Sequence, residues 1–316
     1  MRRMQNTGMK RAAAGLMAAL MMLSMAACGG SSSTESAAGS SAAGSEAAGS
    51  SAAAGESAAA ADTEAGDDTL TVAMECAYAP YNWTQSDDSN GAVQIKDSPD
   101  YAYGYDVMMA KKIADELGMK LEIVKSDWDS LVPAVQSGKV DCVIAGQSIT
   151  AKRLESVDFT EPYYYATVVA LTKKDSKYAE AKGVKDLAGG TCTSQLNTIW
   201  YDNCLPQIPD ANILAAQDSA PAMLVALESG KVDYVVTDMP TAKAATVAYP
   251  DLKVLDFSGS DDDFQVSDED VNIGISLKKG NTALKEKIDS VLSTMTAEDF
   301  NKMMDEAISV QPLSQN

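Results

Sequence analysis

Apolar positions along the 316-residue chain fall into three regimes. A charged start is followed by a nearly unbroken Ala/Met-rich run from Ala12 to Ala27. Residues 29–68 are then almost wholly Ser, Ala, Gly and acids, with no aromatic residue and no Leu, Ile or Val before Leu70. From Leu70 onward, short apolar runs alternate with apolar stripes at helical spacing, the pattern of strand–helix alternation.

The elements follow in order. Thr69 to Met74 reads as a strand, closed by a segment rich in aromatics around Pro80, and the polar stretch Thr84 to Asp100 as a surface hairpin or loop. Val107 to Leu117 carries a helical stripe with Gly118 as its C-cap. Leu121 to Val124 is a strand, and Asp127 can cap a helix over 129–136. In SGKVDCVIAGQSITAKR (137–153) a Ser-Gly helix stop leads to a strand, Val140 to Ala145, a small-residue turn, and a helix start at Thr150. Its first five residues recur at 229–233, again after an apolar helical run and before a strand, Val232 to Thr237. Between them lie strands at 166–172, 191–195 and 212–215, a helix near 198–205 and a helix over 221–228 capped by Asp218 or Ser219. A strand over 271–277 and one or two amphipathic helices over 282–304 complete the chain.

One unit used twice predicts two similar α/β lobes, each a mainly parallel sheet flanked by helices, joined by two hinge crossings. Open α/β sheets bind ligands outside the carboxyl ends of their strands. Gln147-Ser148 and Thr237-Asp238, at the ends of the twin strands, are therefore the first candidates for a site.

The N-terminal regimes place the protein. A basic start and an apolar core too short for a comfortable membrane span make a secretory signal over 1–27. Its end, Ser24-Met25-Ala26-Ala27-Cys28, resembles the bacterial lipobox, in which Cys28 is lipidated and becomes the mature N-terminus, anchoring the protein on the extracytoplasmic face of the cell membrane. Residues 28–68 then form a flexible acidic tether, having nothing apolar to offset the entropy of ordering.

Charge and composition exclude whole classes. The net charge is −20, and loss of Arg2, Arg3, Lys10 and Arg11 with the signal deepens it to −24, which argues against nucleic acid as a partner. Histidine is absent, removing His-based catalysis and His-ligated metals together. Beyond Cys28, the cysteines at 76, 142, 192 and 204 form no CxxC pair. Cys142 reads as a small core residue, and Cys192 could pair with Cys204 if their Cα atoms lie close enough. No cofactor or metal is called for.

Several ordered motifs carry a resemblance: YAPYNW (78–83), GYDVMMAKKIADELG (104–118), WDSLVPAVQSGKVD (128–141), SITAKRLESVDFTEPYYY (148–165) and ALESGKVDYVVTDMPTA (226–242). Over about 70–308 the chain resembles the family 3 extracellular solute-binding proteins, the amino-acid receptors of ABC importers. The resemblance implies a periplasmic-binding-protein-like fold of type II, with lobe 1 over 69–165 and 271–316 and lobe 2 over 166–270. It implies a monomer that closes on a free amino acid and presents it to membrane permease subunits. By the same resemblance, Arg153 grips the ligand α-carboxylate with help from Ser148, Gly146 and Gln147. Asp238 receives the α-ammonium, Thr198 adds a hydroxyl to the carboxylate, Tyr78 and Trp128 sandwich the side chain, and Glu75 reaches its distal end. The residue types fit these roles, since a guanidinium fork matches a carboxylate bidentately where lysine would not.

Two acids, Glu75 and Asp238, against one Arg153 tilt the choice toward a polar amino acid, cationic or neutral. Two other readings fit the sequence less well. A dehydratase- or lyase-like enzyme on the same fold would have to use a carboxylate or lysine as its base. A sensor module would be expected to continue into a signalling segment after the second lobe.

Overall fold

The computed structural model describes residues 68–312; the signal over 1–27, Cys28 and the tether up to residue 67 lie outside the described residues. Strand β1 (Thr69–Met74) falls where the apolar run places it and buries its last three side chains completely. The stretch after it is not a bare loop. It folds into β2 (Ala77–Tyr78), β3 (Asn82–Gln85), β4 (Val93–Gln94) and β5 (Tyr101–Tyr103), a small sheet in the order β2-β3-β5-β4. Trp83 and Tyr103 pack edge to face across it, centroids 5.4 Å apart, giving these short polar-looking strands an apolar side.

Helix α1 (Tyr105–Leu117) begins two residues before the stripe predicts and ends at Gly118. Then come β6 (Lys120–Lys125), α2 (Trp128–Gln136), β7 (Cys142–Val143), α3 (Ala151–Leu154), β8 (Val157–Phe159) and β9 (Tyr164–Tyr165). Asp127 stands at the N-cap of α2, but its side chain makes no capping hydrogen bond. The second half runs β10 (Val168–Lys173), β11 (Thr191–Thr193), β12 (Asn212–Ile213), α4 (Ala220–Glu228), β13 (Tyr234–Asp238), α5 (Met239–Ala248), β14 (Leu252–Leu255) and α6 (Asp268–Val271). Ser219 caps α4. In place of a regular helix over 198–205 there is a π-helical turn, Trp200–Cys204, followed by a 3-10 turn. The strand expected over 271–277 is split at Gly274 into β15 (Asn272–Ile273) and β16 (Ser276–Lys278), which belong to different sheets. Helices α7 (Thr282–Leu292) and α8 (Ala297–Val310) close the described chain.

Two five-stranded sheets result, ordered β6-β1-β7-β16-β8 and β12-β11-β13-β10-β14. In each, four strands run one way and the fourth in order, β16 or β10, runs against them. These two opposed strands are the ones by which the chain enters its second sheet and returns to its first. The crossing segments themselves pair as an antiparallel ladder, Tyr165 with Asn272 and Tyr164 with Ile273.

The repeated SGKVD leads into the central strand of each sheet, and the reason for its residues is visible. Gly138 and Gly230 adopt φ of 74° and 72°, a left-handed turn that costs glycine least. The closing acids then accept from the neighbouring strand: Thr71 N donates to Asp141 Oδ2 and Thr191 N to Asp233 Oδ2, both at 2.8 Å. The motif is a helix stop followed by a strand clamp.

Among the described residues all four cysteines are buried and free, so the considered Cys192–Cys204 disulfide is not formed, while Cys142 is the core residue expected. No helix of the described residues is long and apolar enough to cross a membrane.

Candidate functional site

The carboxyl ends of β1, β7 and β13 converge on the space between the two sheets. Asp238 ends β13 and caps α5, its Oδ1 accepting from Thr241 N at 2.8 Å. Its Oδ2 accepts from the Tyr78 hydroxyl at 2.7 Å, a hydrogen bond that spans the two lobes. Burial raises the Asp238 pKa, and the hydrogen bonds from Thr241 and Tyr78 counter it. Tyr78 stacks on Tyr81 with centroids 4.8 Å apart and has Trp200 at 6.5 Å.

After β7 the chain turns at Gly146, where φ is 62°. A Cβ there would lie 2.8 Å from Tyr78 Cε1, so glycine is required by contact as well as by conformation. Ser148 follows, and its carbonyl accepts from Arg153 Nη1 at 2.9 Å. Gln147 is turned the other way, its Oε1 accepting from Ser276 Oγ at 3.0 Å inside the first lobe. Its carbonyl is also committed there, accepting from Gly274 N at 3.0 Å.

Arg153 sits on the short helix α3, whose N-cap Thr150 accepts from Arg153 N. Its guanidinium lies 5.3 Å from the centre of the Trp128 ring, and Nη2 donates across the cleft to Asn197 O at 3.1 Å. Among the described residues no carboxylate forms an ion pair with it. Desolvation pulls its pKa down to about 10, partly offset by Asp202. It is a half-buried cation, supported on an aromatic face and held by carbonyls.

Glu75, directly after β1, is buried, and Oε2 has no hydrogen-bond partner among the described residues. Burial pushes its pKa up to about 7; Gln195 tempers the shift, although Gln195 Nε2 is also without a partner of ordinary geometry. The Thr198 hydroxyl is used within its own loop, donating to Gln195 O at 2.7 Å. The residue of that loop that reaches the other lobe is Asn197, whose Nδ2 also donates to Asp129 Oδ1 at 2.7 Å. Sequence reasoning missed Asn197; the available signal was an asparagine in a turn, a residue that tolerates positive φ better than most, and here it adopts φ of 55°.

The structure thus gathers Tyr78, Gly146, Ser148 and Asp238 at one point and Trp128, Arg153 and Asn197 beside it. The two groups share Ser148. The lobes are closed: the cavity between Gly146, Ser148, Trp200, Asp238 and Ile273 measures about 10 Å³, room for about one water. Chemically the arrangement offers a cationic fork on one lobe, a buried carboxylate on the other, and a second buried carboxylate beside them.

Residues 70–308 match the model of the bacterial extracellular solute-binding proteins, family 3. A probable histidine-binding protein of Campylobacter jejuni is 32% identical over 184 residues, 58% of this chain; the chain spans 65% of that relative's length. An amino acid ABC transporter substrate-binding protein, AbpA, of Streptococcus pneumoniae, solved bound to L-arginine, superposes with a TM-score of 0.64 at 27% identity, covering 77% of this chain and 95% of its own. The ancestral amino-acid-binding protein AncCDT-1, described as a precursor of cyclohexadienyl dehydratase, superposes at 0.61 with 30% identity, covering 76% and 96%. The chain belongs to the family 3 bacterial extracellular solute-binding proteins.

Proposed function

We propose that this protein is the amino-acid receptor of an ABC importer, and that it takes an amino acid with a polar, cationic side chain. The observation that carries this reading is Arg153, a guanidinium on Trp128 with no carboxylate partner among the described residues, facing a lobe whose Asp238 is buried. An α-amino acid supplies both missing charges in one molecule: its carboxylate meets Arg153 and the Ser148 turn, and its ammonium meets Asp238 in place of the Tyr78 hydroxyl. Because the two charges sit on opposite lobes, the ligand stabilises the closed form through contacts the open form cannot make.

Glu75 supports the cationic choice, since a buried carboxylate oxygen without a partner is costly until a donor meets it. The relatives named for histidine and solved with arginine point the same way. In this reading residues 1–27 are a lipoprotein signal, lipidated Cys28 and the tether over 28–68 hold the receptor at the outer face of the membrane, and 69–165 with 271–316 close against 166–270. The closed monomer is what the permease subunits meet.

Calorimetric titration of the 20 amino acids tests this. Lysine, arginine or histidine is expected to bind, and Arg153→Ala to lose that binding while unfolding near the wild-type temperature. If no amino acid binds, or if Arg153→Ala binds normally, the reading fails.

A second reading, an enzyme of dehydratase or lyase type, draws on Glu75, whose pKa near 7 suits a general base, and on the likeness to AncCDT-1. Recovery of the ligand unchanged after prolonged incubation would exclude it.

A further inference from the structure

Asp106 is completely buried at the start of α1, behind the turns that face the cleft. Each of its carboxylate oxygens accepts a side-chain hydrogen bond, and the Gly146 backbone N–H adds to the stabilisation of the charge. Asn82 Nδ2 donates to Oδ2 at 2.7 Å, and the Tyr163 hydroxyl donates to Oδ1 at 2.6 Å. Each of those donors accepts in turn from the backbone of a cleft turn. Cys76 N donates to Asn82 Oδ1 at 2.7 Å, and Gly146 N donates to the Tyr163 hydroxyl at 3.1 Å. Four hydrogen bonds therefore connect the residue after Glu75 to the residue two before Ser148. All four run inward to one carboxylate.

That direction restricts the chemistry. An amide and a hydroxyl each donate and accept, so both arms can point inward only if the centre accepts on both sides. An ionised carboxylate does so fully; an amide does not, and a protonated acid accepts only weakly at its hydroxyl oxygen. A second set of contacts holds the hub itself: Asp106 N donates to Tyr81 O at 2.8 Å and the Tyr105 hydroxyl to Tyr163 O at 2.5 Å.

We propose that Asp106 is a positioning residue for ligand binding, locking the Glu75 turn and the Gly146–Ser148 turn at a fixed separation through Asn82 and Tyr163. The inference rests on the receptor reading above. The Glu75 turn would meet the side-chain end of the ligand and the Ser148 turn its carboxylate, so their spacing sets how both ends are gripped. A fully satisfied network away from water is stiff, and removal of one member strands a buried donor. Burial raises the Asp106 pKa to about 6, which leaves it ionised, and so acceptor-only, at neutral pH.

The arrangement allows an exchange test. Asp106→Asn alone turns an amide donor against Asn82 or Tyr163, and Asn82→Asp alone sets two carboxylates face to face. Together they restore every bond, with donor and acceptor exchanged between positions 82 and 106. The purified full chain is titrated with L-arginine by calorimetry, and its unfolding midpoint without ligand is measured alongside. Each single change, and Tyr163→Phe, is expected to weaken binding about tenfold or more, and the double exchange to return it to within about threefold of wild type. Single variants that bind like the wild type would overturn the proposal. So would a double exchange that recovers the unfolding midpoint without recovering affinity, or that binds no better than the single variants. A wild-type chain that binds none of the 20 amino acids would overturn the receptor reading and this inference with it, whereas a binding wild type with unaffected variants overturns this inference alone.

Discussion

At the scale of single residues, the site depends on atoms that leave no slack. Gly146 combines a φ of 62°, a Cβ position only 2.8 Å from the Tyr78 ring, and an amide committed to Tyr163. Gly146→Ala is therefore expected to destabilise the protein by about 1–3 kcal/mol, read from urea unfolding, and to abolish amino-acid binding, because the Tyr78 ring must move to admit the methyl group. A variant of wild-type stability would show that the turn can relax. Tyr78 and Arg153 illustrate how far residue type alone can be read. By the family resemblance the Arg153 guanidinium is expected to meet a ligand carboxylate, but that its support is the Trp128 face and that its second donor crosses to Asn197 follow from packing.

At the scale of elements, short pieces carry the chemistry and long ones carry the fold. Helix α3 has four residues and is too short to hold itself; its N-cap hydrogen bond from Arg153 N to Thr150 Oγ1, at 3.3 Å, is much of what orients Arg153. Thr150→Ala is expected to cost about 1 kcal/mol of stability and to weaken ligand binding several-fold with the guanidinium still present, as calorimetry would show. Unchanged affinity would mean that Trp128 and Ser148 suffice to place it. The elements most legible in the sequence were those with a clear period, such as β1, α1 and α4. The small sheet β2-β3-β5-β4 was not, because its strands are two to four residues long and much of its order comes from the Trp83–Tyr103 pair. The split of the run over 271–277 was also hidden, since the apolar pattern is continuous while the two halves serve different sheets.

At the scale of the whole molecule, folding buries acids without an ion-pair partner among the described residues. Glu75 and Asp106 are raised by burial to about 7 and about 6. An acid whose folded pKa exceeds its unfolded value binds protons more tightly when folded, so stability falls as pH rises between the two values. Between about pH 4.5 and 7 for Glu75, and about 4 and 6 for Asp106, each group contributes on the order of 3 kcal/mol of pH-dependent stability. The unfolding midpoint without added ligand is thus expected to rise as pH is lowered from 8 to 5. Glu75→Gln should reduce the slope, and saturating L-arginine should reduce it too, because a bound cation keeps Glu75 ionised. Calorimetric scans at unit pH steps would check both; a midpoint that falls over this range would mean that burial does not hold these acids up.

Strand–helix alternation and the twin SGKVD units are legible along the chain, because periodicity and turn chemistry are local properties of neighbouring residues. Ser148 and Asp238 stand out in the same way, at strand ends that α/β sheets present to ligands, whereas Arg153 is named by the family resemblance. Their partners follow from packing in three dimensions: Tyr78 on Asp238, Trp128 under Arg153, Asn197 rather than Thr198 across the cleft, and Asp106 behind both turns. Those pairs are separated by up to 160 residues, and no local pattern encodes a hydrogen bond formed when two lobes meet.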